Sequence, residues 1–338
     1  MKPMSLALIT CLFITRVGVG AEPAAETKKN AVAAKRHFTF HYKFRVKDLP
    51  SATKGKSVVK VWLPCPATSD AQEIVRGEVV APAKLTEHLE ARFGNKILYL
   101  ELPVPEKGEF TVDIPYDVVR KEVRAIESSS TMSAEKLDDM KRALYLAADK
   151  LVPISGKPLK ILADVELRDD KLAMARQLYE LVDRHCVYKK EGTGWGRGDT
   201  NWVCESGYGN CTDFHSLFIS LARSQGLPSR FEIGFSIPTD KKEGPVVGYH
   251  CWAWFHLNDR GWIPVDISEA DKFPAMKEYY FGNLTADRVM FSTGRDVKLS
   301  PPSAQQPLNF FVFPYIEVDG EPLPSAKIEL QNSFHDKL

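Results

Sequence analysis

No charge of one sign dominates this chain: 45 Lys and Arg stand against 44 Asp and Glu, a formal net charge of +1 over 338 residues. No basic block interrupts that balance, so the electrostatic footprint of a nucleic-acid binder is missing and no nucleic-acid partner is expected. Long apolar runs are scarce too. The run at residues 6–14 is too short to span a bilayer comfortably, so no stable membrane anchor is expected. There is no internal repeat, low-complexity tract or calcium-loop spacing. No Cys-x-x-Cys pair exists, and the neighbours Cys204, Cys211, His215, His250 and Cys251 lack zinc spacing. His250 and Cys251 are adjacent and would point to opposite faces of a strand. Neither a metal nor a cofactor is expected. The composition, 44% hydrophobic and 26% charged, is that of a globular protein long enough for two domains.

Residues 1–21 read as a signal peptide. Lys2 gives a positive start, residues 6–14 an apolar stretch, and Val19-Gly20-Ala21 a small-residue cleavage site. The expected location is periplasmic or extracellular, with cleavage near Ala21. Residues 22–35 form an aperiodic, flexible lead-in. Of the 6 cysteines, Cys65, Cys186, Cys204, Cys211 and Cys251 would remain, and an odd count leaves at least one free thiol. Cys186 and Cys204 are candidates for a bridge, although sequence sets no distance between them.

From 36 to 120 the pattern alternates at period two, with strands expected at 37–46, 58–64, 83–92, 96–102 and 109–116. Short strands with Gly and Pro turns predict an all-β, sandwich-like domain, either a structural cover or a substrate-binding module. Residues 121–168 read as a helical connection. There Ser133 caps a helix over 134–148 that turns Leu137, Met140 and Leu144 inward. A second helix, capped by Asp169 or Asp170, runs to about Arg184 with Leu172, Ala175, Leu178, Tyr179 and Val182 facing the core. The main domain covers 169–320, with a short helix at 273–280 and closing strands at 309–314 and 315–319. Residues 321–338 form a C-terminal tail, loose from about Asn332.

The chemistry concentrates around Cys211. Phe214, Leu217, Phe218, Leu221 and Ala222 recur at helical spacing, Asn210 is a plausible N-cap, and Gly226 and Pro228 stop the helix. Cys211 then sits at the helix start, where free N–H groups and the dipole favour a thiolate. A cysteine that simply packs like a small hydrophobe is the alternative. Residues 249–257 and 262–266 read as two strands of a hairpin, which sets His250 beside Asp266. Thiol, base and orienting carboxylate are the parts of a nucleophilic site. His215, on the side of the helix that carries Cys211, is better read as core. The glycine-rich loop before Gly207 supplies Trp195 and Trp202, candidates with Asn210 for the pocket or the oxyanion position. The Cys211 backbone N–H is the firmer oxyanion donor.

Asn210-Cys211-x-Asp213-Phe214, His250-Cys251-Trp252-Ala253 and Gly261-Trp262-Ile263-Pro264-Val265-Asp266 resemble the transglutaminase-like superfamily, a branch of papain-like cysteine enzymes. Phe281-Gly282-Asn283-Leu284 and Asp287-Arg288-Val289 resemble the tail of its bacterial members. The resemblance runs from about Asp169 to Pro314. It implies an α+β fold in which a nucleophile helix packs on an antiparallel sheet. It also implies a Cys211-His250-Asp266 enzyme that forms a thioester with a peptide or protein amide. Hydrolysis is the favoured outcome. Protein-glutamine cross-linking is the alternative, and a non-catalytic binding protein is third. Neither sequence nor resemblance sets the oligomeric state.

The leader reading has a direct test. N-terminal sequencing of the protein from its native host should find a chain that begins near Glu22, outside the cytoplasm. A soluble cytoplasmic form starting at Met1 would refute it.

Overall fold

The computed structural model describes residues 35–50, 57–126, 136–304 and 307–337. The expected leader at 1–21, nearly all of the lead-in at 22–35, and the Ser133 cap lie outside the described residues. The described residues fall in one compact unit. Among them no helix is long and apolar enough to cross a membrane.

Alternation does build the first sheet. Strand Lys35–Val46 pairs with Phe110–Lys121 along its whole length, from Lys35 opposite Lys121 to Val46 opposite Phe110. Phe38, Phe40, Tyr42 and Phe44 on one strand and Val112, Ile114, Tyr116 and Val118 on the other are buried. A second sheet joins Val58–Cys65 to Lys96–Pro103 on one side and Tyr315–Val318 on the other. Residues read as a loose tail are strands instead. Ser333–Asp336 and Ile328–Leu330 both pair with Lys35–Val46, which gives that strand's free edge its hydrogen bonds.

The third sheet is antiparallel, in the order Gly261–Val265, His250–Leu257, Ser229–Ser236, Arg288–Thr293. One face meets the first sheet, with Phe40 against Phe235 at 5.1 Å and Tyr42 against Phe291 at 5.2 Å between ring centroids.

Helix α1 spans Asp139–Leu146, shorter than the stretch expected at 134–148, and Met140 is 81% exposed rather than inward. Asp138 sets the start by accepting from the Lys141 N–H, and Tyr145 does the packing, edge-on to Trp262 at 4.9 Å. Helix α2, Lys171–His185, is capped by Asp170 and buries Ala175, Leu178, Tyr179 and Val182. Helix α3 spans Thr200–Ser206 and α4 spans Cys211–Ser224. Helix α5, Ile267–Lys272, replaces the helix expected at 273–280: Asp266 caps it, and Pro274 opens a separate 3₁₀ turn.

The apolar pattern of α4 predicts one buried face, but every residue from Cys211 to Arg223 is buried. Its polar side chains are therefore all engaged. Ser220 donates to the Pro153 carbonyl and Ser216 meets Arg295. Arg223 holds the Ser229 and Ala147 carbonyls and, at 2.6 Å, Asp149.

Both ends of that Arg223–Asp149 pair are buried. Asp149→Ala leaves a guanidinium in the core without its counter-charge. We expect a loss of about 3 kcal/mol, read as a lower urea midpoint at unchanged slope. An unmoved midpoint would show that the pair contributes nothing net.

Candidate active site

Cys211 opens α4, and its setting is built by its neighbours. The Asn210 side chain accepts from the Thr212 N–H at 2.9 Å, and the Asp213 carboxylate accepts from the Asn210 N–H at 2.9 Å, a closed capping box. Asp213 also accepts from Gly196 at 2.6 Å and Gly198 at 2.9 Å, so one carboxylate pins the glycine-rich loop to the helix start. The close approach needs glycine: a Cβ on Gly209 would lie 2.4 Å from Asp213 Oδ2, and one on Gly198 2.3 Å from Ser216 Oγ. The Tyr249 hydroxyl completes the clamp. It meets Asn210 Nδ2 at 2.9 Å and Thr212 Oγ1 at 2.8 Å, and donates to the Gly196 carbonyl.

His250 begins the strand beside this helix end. Its Nε2 lies 2.7 Å from Asp266 Oδ2, which leaves Nδ1 for the hydrogen bond between the ring and the Cys211 thiol. Asp266 is fully buried. Its Oδ2 also takes Arg288 Nη1 at 2.9 Å, and its Oδ1 accepts from Ser268 Oγ at 3.3 Å and the Glu269 N–H at 3.2 Å. The structure thus brings Cys211, His250 and Asp266 together in one buried cluster.

The charges follow from these contacts. Burial opposes the imidazolium, but the Asp266 charge and hydrogen bond outweigh it and raise the His250 pKa to about 9. Burial likewise opposes the Cys211 thiolate. Hydrogen bonds from Cys251 and His250, with the His250 charge, outweigh it and hold the thiol well below its ordinary range. The Asp266 carboxyl is raised by burial and lowered further by His250 and Arg288, so it stays ionised. Burial pushes the Cys251 thiol up, so it remains a donor.

His215 plays a different part. Its Nε2 accepts from the Ile267 N–H at 3.0 Å, which places the ring proton on Nδ1, and burial lowers its pKa to about 4. It is a neutral, occupied ring that ties α4 to α5. Trp202 lies beneath Gly194 and edge-on to Tyr208 at 5.2 Å, Trp195 is half-buried in the same loop, and the Asn210 side chain is committed to the cap. All five described cysteines are free, so the candidate bridge between Cys186 and Cys204 is absent. No group of three His, Cys, Asp or Glu among the described residues is arranged to hold a metal.

Sequence reasoning assigned no role to Arg288, Cys251 and Tyr249. Besides the resemblance of Asp287-Arg288-Val289, Arg288 carried a signal of its own, an arginine opening the apolar run of strand Arg288–Thr293. Such a buried cation calls for a buried anion.

Residues 161–267 match the model of the transglutaminase-like superfamily and form a transglutaminase-like domain that includes Cys211, His250 and Asp266. An uncharacterised protein of Haemophilus influenzae is 34% identical over 164 residues, which is 39% of this chain and 44% of that relative. The match thus spans less than half of the relative's length. A solved structure from Cytophaga hutchinsonii, described as a candidate cysteine protease, is 14% identical. The match covers 90% of this chain and 97% of that one with a TM-score of 0.52, a likeness of fold. The periplasmic domain of TgpA from Pseudomonas aeruginosa is 13% identical over 73% of this chain and 91% of its own, with a TM-score of 0.39.

A raised His250 pKa means that the pair's contribution to stability is complete below the ordinary histidine range and is lost as pH rises through about 9. The depressed Asp266 pKa acts in the opposite sense, adding stability above the ordinary carboxylate range that is lost only in strong acid. Alkylation of Cys211 by iodoacetamide should therefore already be past its rise with pH at slightly acidic pH, whatever the access to the buried sulfur. Asp266→Asn should move its rise upward by about 1 pH unit or more. An unchanged profile in a folded variant would mean that another group sets the charge of His250.

Proposed function

We propose that this transglutaminase-like domain is a cysteine-dependent acyl-transfer enzyme acting on peptide or protein amides, with Cys211 as nucleophile and water as the acceptor. The observation that carries the reading is the buried relay of Cys211, His250 and Asp266, in which Asp266 raises the histidine while Cys251 and the histidine lower the thiol. The Cys211 thiolate attacks the amide carbonyl. The oxyanion that forms faces the Cys211 N–H, which is not among the donors the cap takes up. His250 Nδ1–H gives its proton to the leaving amine as the C–N bond breaks, leaving a thioester. His250, now neutral, takes a proton from water as the oxygen attacks. The thioester then collapses to a carboxylic acid and regenerated thiolate, and the ring is again imidazolium. Asp266 keeps the ring oriented, and Arg288 keeps Asp266 ionised.

Cys211 is 2% exposed, so a substrate carbonyl reaches its sulfur only after neighbouring groups move. A cavity of about 270 Å³ adjoins the clamp at Gly196 and is walled by Arg197, Phe310, Phe313 and Tyr315. Phe310 and Phe313 each lie 5.6 Å from the Tyr249 ring, so the cavity is a place for an apolar substrate side chain beside the clamp that holds the start of α4. The choice of water over an amine rests on the resemblance to bacterial members of the superfamily.

The deciding experiment incubates the protein with a glutamine-bearing protein and a labelled primary amine, followed by mass spectrometry. We expect chain cleavage without amine incorporation. Incorporation in place of cleavage would make the protein a cross-linking transferase. Cys211→Ala should abolish either product and keep its circular dichroism spectrum. The double variant of His250→Ala and Asp266→Asn should be scarcely slower than His250→Ala alone, because the two act as one unit. A fully active Cys211→Ala enzyme would sink the assignment.

A further inference from the structure

The catalytic sheet has a second face. Along His250–Leu257 the side chains alternate: Cys251 meets Thr212 and His215 of α4, and Trp254 turns to the opposite side. There it walls a cavity of about 340 Å³ at the junction with the β-rich N-terminal region, distinct from the cluster around Cys211.

Arg120 lines this cavity and is 1% exposed. Among the described residues its side chain makes one hydrogen bond, from Nη1 to the neutral amide oxygen of Gln72, at 3.3 Å. Nε and Nη2 have no partner. These two atoms form the side-on edge of the guanidinium, where two parallel N–H groups match the two oxygens of a carboxylate. Trp254 Nε1, also lining the cavity, is a third buried donor without a partner.

Glu232 borders the cavity and its charge reaches Arg120, but neither of its oxygens bonds to that guanidinium. Glu232 gives one oxygen to Trp252 Nε1 at 2.8 Å and the other to Arg230 at 2.9 Å. Asp70 also borders the cavity but is exposed, and among the described residues no carboxylate pairs with Arg120. Burial and the Arg288 charge work against the Arg120 cation and outweigh the Glu232 charge that favours it, so its pKa falls to about 9. Aromatic rings make up part of the remaining wall, beside Ser69, Met290 and Thr293. Trp254 and Trp262 are stacked against Arg230, which lies 5.0 Å and 4.3 Å from their centroids, and Phe93 also lines the cavity. Three buried donors without partners, a cation that no carboxylate bonds and two tryptophan rings together call for an acceptor-only group on an apolar body.

We propose that this cavity binds a small carboxylate carrying an aromatic or branched apolar group, with its carboxylate on the Nε–Nη2 edge of Arg120. This gives the N-terminal β region a binding role, because Arg120 comes from strand Phe110–Lys121 and the tryptophan walls come from the catalytic sheet.

The test titrates the full chain with benzoate, followed by calorimetry and by tryptophan fluorescence. Benzyl alcohol serves as a neutral probe of similar size. Benzoate should bind saturably and about tenfold or more tightly than benzyl alcohol, since only the anion satisfies the guanidinium edge. Arg120→Met should weaken benzoate about tenfold or more, and Cys211→Ala should leave binding unchanged. Trp254→Phe, which keeps a ring and removes one donor, should weaken it several-fold and serves if Arg120→Met does not fold. Three results overturn the proposal: no saturable benzoate binding, equal affinity for benzyl alcohol, or wild-type benzoate affinity in whichever variant folds.

Discussion

The carboxylate of Asp266 is the charge around which the site is arranged. A fully buried anion is costly unless its oxygens are occupied, and here four groups occupy them: His250, Arg288, Ser268 and the Glu269 N–H. Two of those partners carry positive charge, so the anion persists and in turn keeps His250 protonated. The imidazolium then favours the Cys211 thiolate. The same carboxylate caps α5, so the element that follows the hairpin depends on the residue that sets the electrostatics.

A second carboxylate, Asp213, does the corresponding work for the backbone. It draws the N–H groups of Asn210, Gly196 and Gly198 onto the first turn of α4. The cysteine is thereby held at a fixed place on a helix buried on all sides, and the loop that covers it is tied at two points. Tyr249, the residue before His250, reaches the same turn from the sheet, so helix, loop and histidine strand share one polar clamp. Such mutual fixing is the structural form of preorganisation: side chains are positioned before a substrate arrives.

Behind the sheet that carries His250, the β-rich region covers an apolar surface and also lines a cavity. Phe40 and Tyr42 pack on Phe235 and Phe291, and a few residues away the packing gives way to a polar cavity at Arg120. Strands Ser333–Asp336 and Ile328–Leu330 extend the first sheet beyond Lys35–Val46, and Glu243–Pro245 pairs outside Ser333–Asp336. The β-rich region is therefore completed by residues about 200 positions or more beyond Lys121, a pairing that rests on hydrogen bonds and leaves little trace in local composition.

The features legible along the chain are those settled within a few residues. Asn210 and Asp213 mark the start of α4, and Asp170 that of α2, because caps act over three positions. Alternation marks the strand from Lys35, and a short turn between two β runs sets His250 near Asp266. Where several local options compete, the pattern misleads. Asp138, which the pattern does not single out as a cap, bonds to Lys141 and sets the start at Asp139. Residues beyond Asn332 look loose because their order comes from a partner strand nearly 300 positions away. The remaining parts of the site lie beyond local patterns for the same reason. Arg288 on Asp266, Cys251 beside His215, and Arg120 without a counter-ion each depend on which side chains meet across sheets, a matter of packing and burial rather than of spacing along the chain.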